Sequence, residues 1–227
     1  MVLRIGHRGA SGHEPENTLR SFEAAVRLGA DMVEFDVHVC GSGELVVIHD
    51  ETVDRTTDGS GAVARMTLSE LKALDAGKGE KIPTLGEVFS ALKGRAAVNI
   101  ELKGRGTAEP VYELMTGHIR GGSWGLEEIL VTSFDWGMLE AMRALSADTR
   151  LGPLVYKDID EALKVATKLD SHSVNPYHRS IDHNFVKEVH GLGISVYPWT
   201  VDEPEDISRV VSMGVDGVIS DYPERVS

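Results

Sequence analysis

Cysteine is nearly missing from this chain: Cys40 is the only one in 227 residues. Neither a disulfide framework nor a thiolate metal cluster can be built from it. Basic residues are also in deficit, with 23 Lys and Arg against 36 Asp and Glu, for a formal net charge of -13. General nucleic-acid binding needs a basic footprint, and this balance excludes it. A small anionic substrate is not excluded, because a few placed cations or one metal ion dominate the field of a cleft. No apolar stretch approaches the ~20 residues of a membrane span, so no integral membrane segment is expected. The first apolar run, Met1 to Ile5, leads straight into His7 and Arg8 without a cleavage site, which predicts a cytoplasmic protein rather than an exported one. Gln is absent and Asn occurs four times. Scarce thermolabile amides fit a thermophile, although the charged fraction of 26% is ordinary.

Hydrophobic residues, at 41%, suffice for a sizeable core. Short β-rich runs alternate with helix-period runs from end to end. Strand-like segments fall at 3–7, 32–39, 45–49, 97–103, 129–133, 151–155, 173–175, 195–201 and 218–220. Helical runs fill the gaps, with Gly29, Gly94, Gly191 and Gly214 as expected stops and Asp182 and Asp202 as expected N-caps. Alternating strand and helix implies parallel strands with right-handed crossovers. The expectation is an α/β protein, one parallel (β/α)8 barrel over residues 1–227. Nine strand-like runs are one too many for eight staves. The tight turn Gly41-Ser42-Gly43 would make runs 32–39 and 45–49 antiparallel, and the sequence leaves that local topology open. Residues 50–83 lack clean periodicity and read as a small excursion after the strand ending at His49.

Period two in strands decides which side chains converge. In 32–39, Glu34, Asp36 and His38 share one face; in 97–103, Asn99, Glu101 and Lys103 do. A barrel turns its apolar strand face to the helices and the other to its axis. Ionisable groups on inward faces are costly to bury unless they bind something. Glu34, Asp36 and Glu101 around one point suit one hard divalent cation, Mg²⁺ or Ca²⁺, with Mn²⁺ also admitted. The plainer alternative is a salt-bridge network with Lys103 and Arg8. His7 and His49 end strand-like runs, and barrel enzymes carry their catalysis at such ends. His38 faces inward as a supporting residue at most. His13, His118, His172, His178, His183 and His190 lack this context and read as surface or packing residues. The run 121–125 matches a nucleophile-elbow pattern around Ser123, but it precedes a strand instead of following one. Gly77-Lys78-Gly79 lacks the spacing of a phosphate loop.

Several short motifs carry a resemblance. His7-Arg8-Gly9-Ala10, Pro15-Glu16-Asn17-Thr18, Glu34-Phe35-Asp36-Val37 and His49-Asp50 occur in that order. Asp54-Arg55-Thr56-Thr57, Ile82-Pro83-Thr84-Leu85, Ile100-Glu101-Leu102-Lys103, Trp199-Thr200-Val201 and Ser220-Asp221-Tyr222-Pro223 follow. Together they span nearly the whole chain, which resembles the glycerophosphodiester phosphodiesterase family. The resemblance implies an eight-stranded β/α barrel and hydrolysis of a small glycerophosphodiester to glycerol 3-phosphate and an alcohol. It implies His7 and His49 as the acid–base pair, Glu34, Asp36 and Glu101 as metal ligands, Arg8 and Lys103 on the phosphate, and Trp199 lining the substrate pocket. Glu16, Asn17 and Asp221 are placed near the site, in roles that include fixing the first loop and orienting neighbours. The nucleophile is either water or the glycerol 2-hydroxyl. A lysophospholipase D-like activity and a non-catalytic phosphoester-binding barrel are the alternatives. Two departures stand out. Gly41-Ser42-Gly43 replaces the family's usual Asp-Gly turn, and the stretch 74–82 is short and lacks aromatics, so the head group stays open.

Overall fold

The computed structural model describes residues 1–226. Its strands are β1 (Leu3–Gly6), β2 (Met32–Val39), β3 (Leu45–Val47), β4 (Ala97–Leu102), β5 (Ile129–Ser133), β6 (Arg150–Val155), β7 (Ser173–Pro176), β8 (Ser195–Val196) and β9 (Gly217–Ser220). Its α-helices are α1 (Leu19–Arg27), α2 (Leu68–Ala73), α3 (Leu85–Leu92), α4 (Ala108–Arg120), α5 (Trp136–Leu145), α6 (Ile159–Lys168), α7 (His183–Gly191) and α8 (Pro204–Ser212).

Strand neighbours run β8-β7-β6-β5-β4-β2-β1-β9, and every pair along this path is parallel. At the seam, Asp216 N–H donates to Val196 O, Ile219 N–H to Pro198 O and Val201 N–H to Ile219 O. Eight parallel strands thus form a nearly closed barrel with helices between them. The surplus ninth strand is β3, which pairs antiparallel with β2, Val47 opposite Val37. It is a return hairpin and not a stave. It also ends sooner than expected, at Val47, leaving His49 beyond the ladder.

The outward faces of β2 and β4 form the main core. Val33, Phe35 and Val37 with Val98, Ile100 and Leu102 are buried against Phe22 and Ala25 of α1 and Val88, Phe89 and Leu92 of α3. Inside the barrel, Ile5, Met32, Leu130, Tyr197 and Ile219 form an apolar layer. Ile5 lies beside Met32 on β2 and Ile219 on β9, and Met32 comes two residues before Glu34 along β2, so the layer lies beneath the polar residues nearer the mouth. The excursion between β3 and α3 gathers its own small apolar cluster, including Val53, Val63, Leu71 and Ile82 beside Cys40, Val46 and Ile48.

Local signals explain most helix ends. Thr67 with Glu70 and Thr84 with Glu87 form capping boxes that start α2 and α3. The first of these marks a helix inside the stretch that the sequence reading left without periodicity. Asp182 caps α7, accepting from Phe185 N–H at 2.9 Å. Two expectations are corrected. Asp202 does not cap α8; its carboxylate accepts from Asp221 N–H at 2.8 Å and Ser220 Oγ at 3.0 Å. Gly191 lies inside α7, and the left-handed glycine that ends it is Gly193, φ 76°. Among the described residues, no helix is long and apolar enough to cross a membrane.

Phe89 is fully buried, its ring 4.8 Å from that of Trp124 and 5.0 Å from that of His118. Phe89→Ala is expected to cost about 3–5 kcal/mol in equilibrium denaturation, because well-packed neighbours cannot collapse into the void. A loss under about 1 kcal/mol, typical of tolerant sites, would contradict this packing.

Candidate active site

The parallel register of β2 and β4 sets Glu34 beside Asn99 and Asp36 beside Glu101. One carboxylate oxygen from each of Glu34, Asp36 and Glu101 lies within 4.8 Å of the others, and all three residues are buried. Like charges this close repel strongly out of water. Burial, followed by the charge on Asp36, pushes Glu34 up to about 7 and Glu101 up to about 8. Burial also opposes ionisation of Asp36, yet Arg8, Lys103, His49 and the Asn17 amide outweigh it and hold that group below the usual range.

The loop after β1 supplies much of this compensation through backbone that few side chains adopt. Arg8 (φ 51°), Gly9 (φ 90°) and Asn17 (φ 58°) are all left-handed. A Cβ on Gly9 would come within 2.3 Å of Ser21 Oγ and 2.6 Å of the Ser21 carbonyl carbon, so only glycine fits. The result is that Arg8 N–H donates to Glu34 Oε2 at 2.9 Å, and Asn17 Nδ2 donates to Asp36 Oδ2 at 2.8 Å. Arg8 NH1 donates to Glu16 at 2.8 Å, and Lys103 Nζ to Glu101 at 2.9 Å.

The two histidines arrive by different routes. His7 follows β1 directly, and its Nδ1 donates to Asp221 Oδ1 at 2.6 Å, which also accepts from Ser11 Oγ at 2.7 Å. Burial pushes the His7 imidazole down, but the Asp221 hydrogen bond and the Glu34 charge outweigh it and set His7 above its ordinary value. His49 reaches the mouth because β3 runs back along β2. Its Nδ1 donates to Asp50 Oδ1 at 2.5 Å, Lys103 Nζ donates to its Nε2 at 3.1 Å, and His38 Nε2 donates to its carbonyl at 3.1 Å. Burial, with Arg8 and Lys103, holds His49 below its ordinary value against the pull of Asp36 and Asp50. Arg55, on the excursion, forks between Asp50 Oδ2 and Glu16 Oε2, each at 2.7 Å. No sequence pattern pointed to this tie.

A cavity of about 460 Å³ opens above the cluster, lined by His7, Arg8, Glu34, His49, Glu101 and Lys103, with Trp199 on its wall. Asp36 sits behind these, touching Arg8 Nε at 3.4 Å and Lys103 Nζ at 3.7 Å. All eight residues singled out from the sequence therefore meet at one mouth. Among the described residues, no other histidine lines the cavity. Ser123 lies before β5, toward the end of the barrel away from the mouth, with its hydroxyl donated to His118 O. Lys78 ties the excursion to the first loop by donating to His13 O and Glu14. Phe134 at the cavity wall was not foreseen; its only signal is an aromatic directly after a strand.

The donor set fits a divalent cation on an observation of the cluster itself. Asp36 Oδ1 is buried with no hydrogen-bond partner, and buried orphans of this kind call for an occupant. Three carboxylates would supply hard oxygen ligands.

A parallel barrel with charged groups converging at the C-terminal ends of its strands defines a β/α-barrel enzyme. Residues 7–225 match the glycerophosphoryl diester phosphodiesterase family, and the chain belongs to that family of hydrolases. A glycerophosphodiester phosphodiesterase of Caldanaerobacter subterraneus is 39% identical, covering 99% of this chain and 96% of its own. The structure of an Oleispira antarctica phosphodiesterase in complex with the product sn-glycerol-3-phosphate aligns with TM-score 0.89 and 31% identity, over 98% of this chain and 94% of its own. A human lysophospholipase D is 27% identical, over 98% of this chain and 84% of its own.

Asn17→Gly keeps the left-handed backbone accessible and removes only the amide that serves Asp36. The variant is expected to unfold about 1–3 kcal/mol more easily in chelator, the cost of a further unmet buried acceptor. Unchanged stability would show that the amide does not hold the cluster together.

Proposed function

We propose that the chain hydrolyses glycerophosphodiesters to glycerol 3-phosphate and an alcohol, with one divalent cation and with His7 and His49 as the proton-transfer pair. The observation that carries this reading is the single cavity in which both imidazoles, Arg8 and Lys103 face an under-compensated carboxylate cluster. A phosphodiester resists attack because its anionic oxygens repel nucleophiles. Arg8 and Lys103 stand where they would bind those oxygens and meet the charge that shifts in the transition state. A cation held by Glu34, Asp36 and Glu101, either Mg²⁺ or Ca²⁺ with Mn²⁺ also admitted, would add Lewis-acid polarisation of a phosphoryl oxygen.

The opposite perturbations of the two histidines divide the labour between them. His49, held low, has Nδ1–H tied to Asp50, which leaves Nε2 as the basic nitrogen; it takes the proton from the nucleophile once the nucleophile replaces Lys103 Nζ as its hydrogen-bond donor. His7, held high by Asp221, gives a proton to the leaving alcohol. Trp199 walls the substrate. A lipid-tailed phosphodiester is the second reading, favoured by the exposed rings beside the cavity and by the name of the human relative. A cytoplasmic location completes the proposal; it rests on the sequence alone.

Cation binding and proton release are coupled, because Glu34 and Glu101 must ionise to act as ligands. Their positions at about 7 and about 8 without a cation make affinity rise with pH through that range. Calorimetry with Mn²⁺ at pH 7, in buffers of different ionisation heats, should detect release of on the order of one proton. Binding without proton release would place the ion elsewhere.

With the cation saturating, the rate should climb as His49 loses its proton and fall as His7 loses its own. Asp221→Asn removes the carboxylate that favours protonated His7, so its pKa falls and the alkaline limb moves to lower pH. The acid limb should stay in place. An unmoved alkaline limb would remove His7 from the role of acid. His7→Ala and His49→Ala should each lower kcat by roughly 10²–10⁴-fold with a smaller effect on KM.

A further inference from the structure

One half of the barrel mouth carries charge and the other half carries rings. Phe134, Tyr156 and Tyr177 stand directly after β5, β6 and β7, and Trp199 follows β8. The Trp199 ring centre lies 5.2 Å from Phe134, 5.7 Å from Tyr177 and 6.3 Å from Tyr156. Tyr156 and Tyr177 are 4.8 Å apart, and Trp199 Nε1 donates to Asn175 O at 2.7 Å, which fixes the indole. Tyr177 and Trp199 are half-buried by this packing. Phe134 and Tyr156 are not, at 45% and 51% exposed.

A groove of about 760 Å³ runs between those two exposed rings, lined also by Trp136, Val155, Lys157 and Asp158. Phe134 and Leu154 line both this groove and the catalytic cavity, so the two are continuous. Rings that serve only packing would be covered. Here an apolar surface stays open next to a site for a phosphoester, where a substrate's own carbon chain would cover it.

Aromatic rings also attract cations, so the charge of the occupant has to be decided. Lys157 Nζ lies 5.7 Å from the Tyr156 ring centre and Lys103 Nζ 5.8 Å from that of Phe134. Each exposed ring already has an ammonium beside it. A cationic head group would meet like charge at both rings, against the one opposing Asp158 carboxylate in the groove lining, whereas a neutral chain would meet no such repulsion. We infer that the Phe134–Tyr156 groove is a subsite for an uncharged hydrocarbon chain, alkyl or acyl, carried by the phosphoester. This rests on the proposed phosphodiester chemistry, because the phosphate must occupy the adjoining cavity for the chain to reach the groove.

Binding tests it without requiring turnover. Methyl, butyl and octyl phosphate are titrated calorimetrically into the cation-loaded protein and into Tyr156→Ser, a change at an exposed position whose folding is checked by its unfolding midpoint. Phosphocholine is compared with its neutral isostere, 3,3-dimethylbutyl phosphate, and hydrolysis of the methyl diester of glycerol phosphate is followed in parallel. Affinity should rise about three- to fourfold per methylene over the first carbons, the size of methylene transfer out of water. In Tyr156→Ser that gain should fall by half or more, with methyl phosphate binding unchanged, and the neutral isostere should bind tighter than phosphocholine. Equal affinity for methyl and octyl phosphate overturns the subsite, as does a chain-length gain kept in both Tyr156→Ser and Phe134→Ser. Tighter phosphocholine overturns the neutral occupant. If chain-length dependence persists but no diester is cleaved, the catalytic reading falls and the subsite stands; turnover with flat binding gives the reverse.

Discussion

Holding three carboxylates within 4.8 Å of one another in a buried site is the constraint around which the rest of this protein is arranged. Each charge loses hydration on burial and repels the other two. The fold answers with Arg8, Lys103, the Asn17 amide and one backbone N–H, and stops short of full compensation. Glu34 and Glu101 stay far above the ordinary glutamate value, and Asp36 Oδ1 has no hydrogen-bond partner, only Lys103 Nζ at 3.7 Å. A purely structural ion network would be expected to close that gap. An unfinished one, opening onto a cavity, is suited to receiving a cation and a phosphate.

Several features far apart in the chain follow from this requirement. The left-handed residues after β1 bring the Arg8 N–H and the Asn17 amide onto the acids, at a conformational cost of a kind that clusters at functional sites. The apolar layer within the barrel lies under the cluster and leaves the mouth as its open side. The hairpin β2–β3 brings His49 back over the mouth, and the excursion that follows is tied down by Arg55 and Lys78. Asp202 serves Asp221, which serves His7, so the end of the chain is linked to its first strand by side chains as well as by the β1–β9 ladder.

Much of this was legible in the sequence, because alternation along a strand is a local property. The shared face of Glu34, Asp36 and His38 could be read directly, as could that of Asn99 and Glu101. What brings the two faces together is the parallel register of β2 and β4, a contact between distant segments, and there only the ordered family motifs helped. The ninth strand could be suspected but not assigned, since a Gly-Ser-Gly turn permits a hairpin without requiring one. Helix α2 was overlooked although Thr67 and Glu70 announce it, because six residues are too few to show periodicity. Asp202 was misread because an acid before a helix usually caps it, and nothing local shows that Asp221 competes for it. Of the aromatic half of the mouth only Trp199 was anticipated, through its family motif; Phe134, Tyr156 and Tyr177 were missed because each is a lone residue after its own strand, and only barrel closure gathers them.

The most direct measurement is a crystal structure of the protein with Mn²⁺ and glycerol 3-phosphate, using anomalous scattering to locate the metal. The account predicts one ion bound by Glu34, Asp36 and Glu101, with the phosphate against Arg8 and Lys103 and between the two imidazoles. An ion bound elsewhere, or the acids closed onto Arg8 and Lys103 with the phosphate excluded, would contradict it.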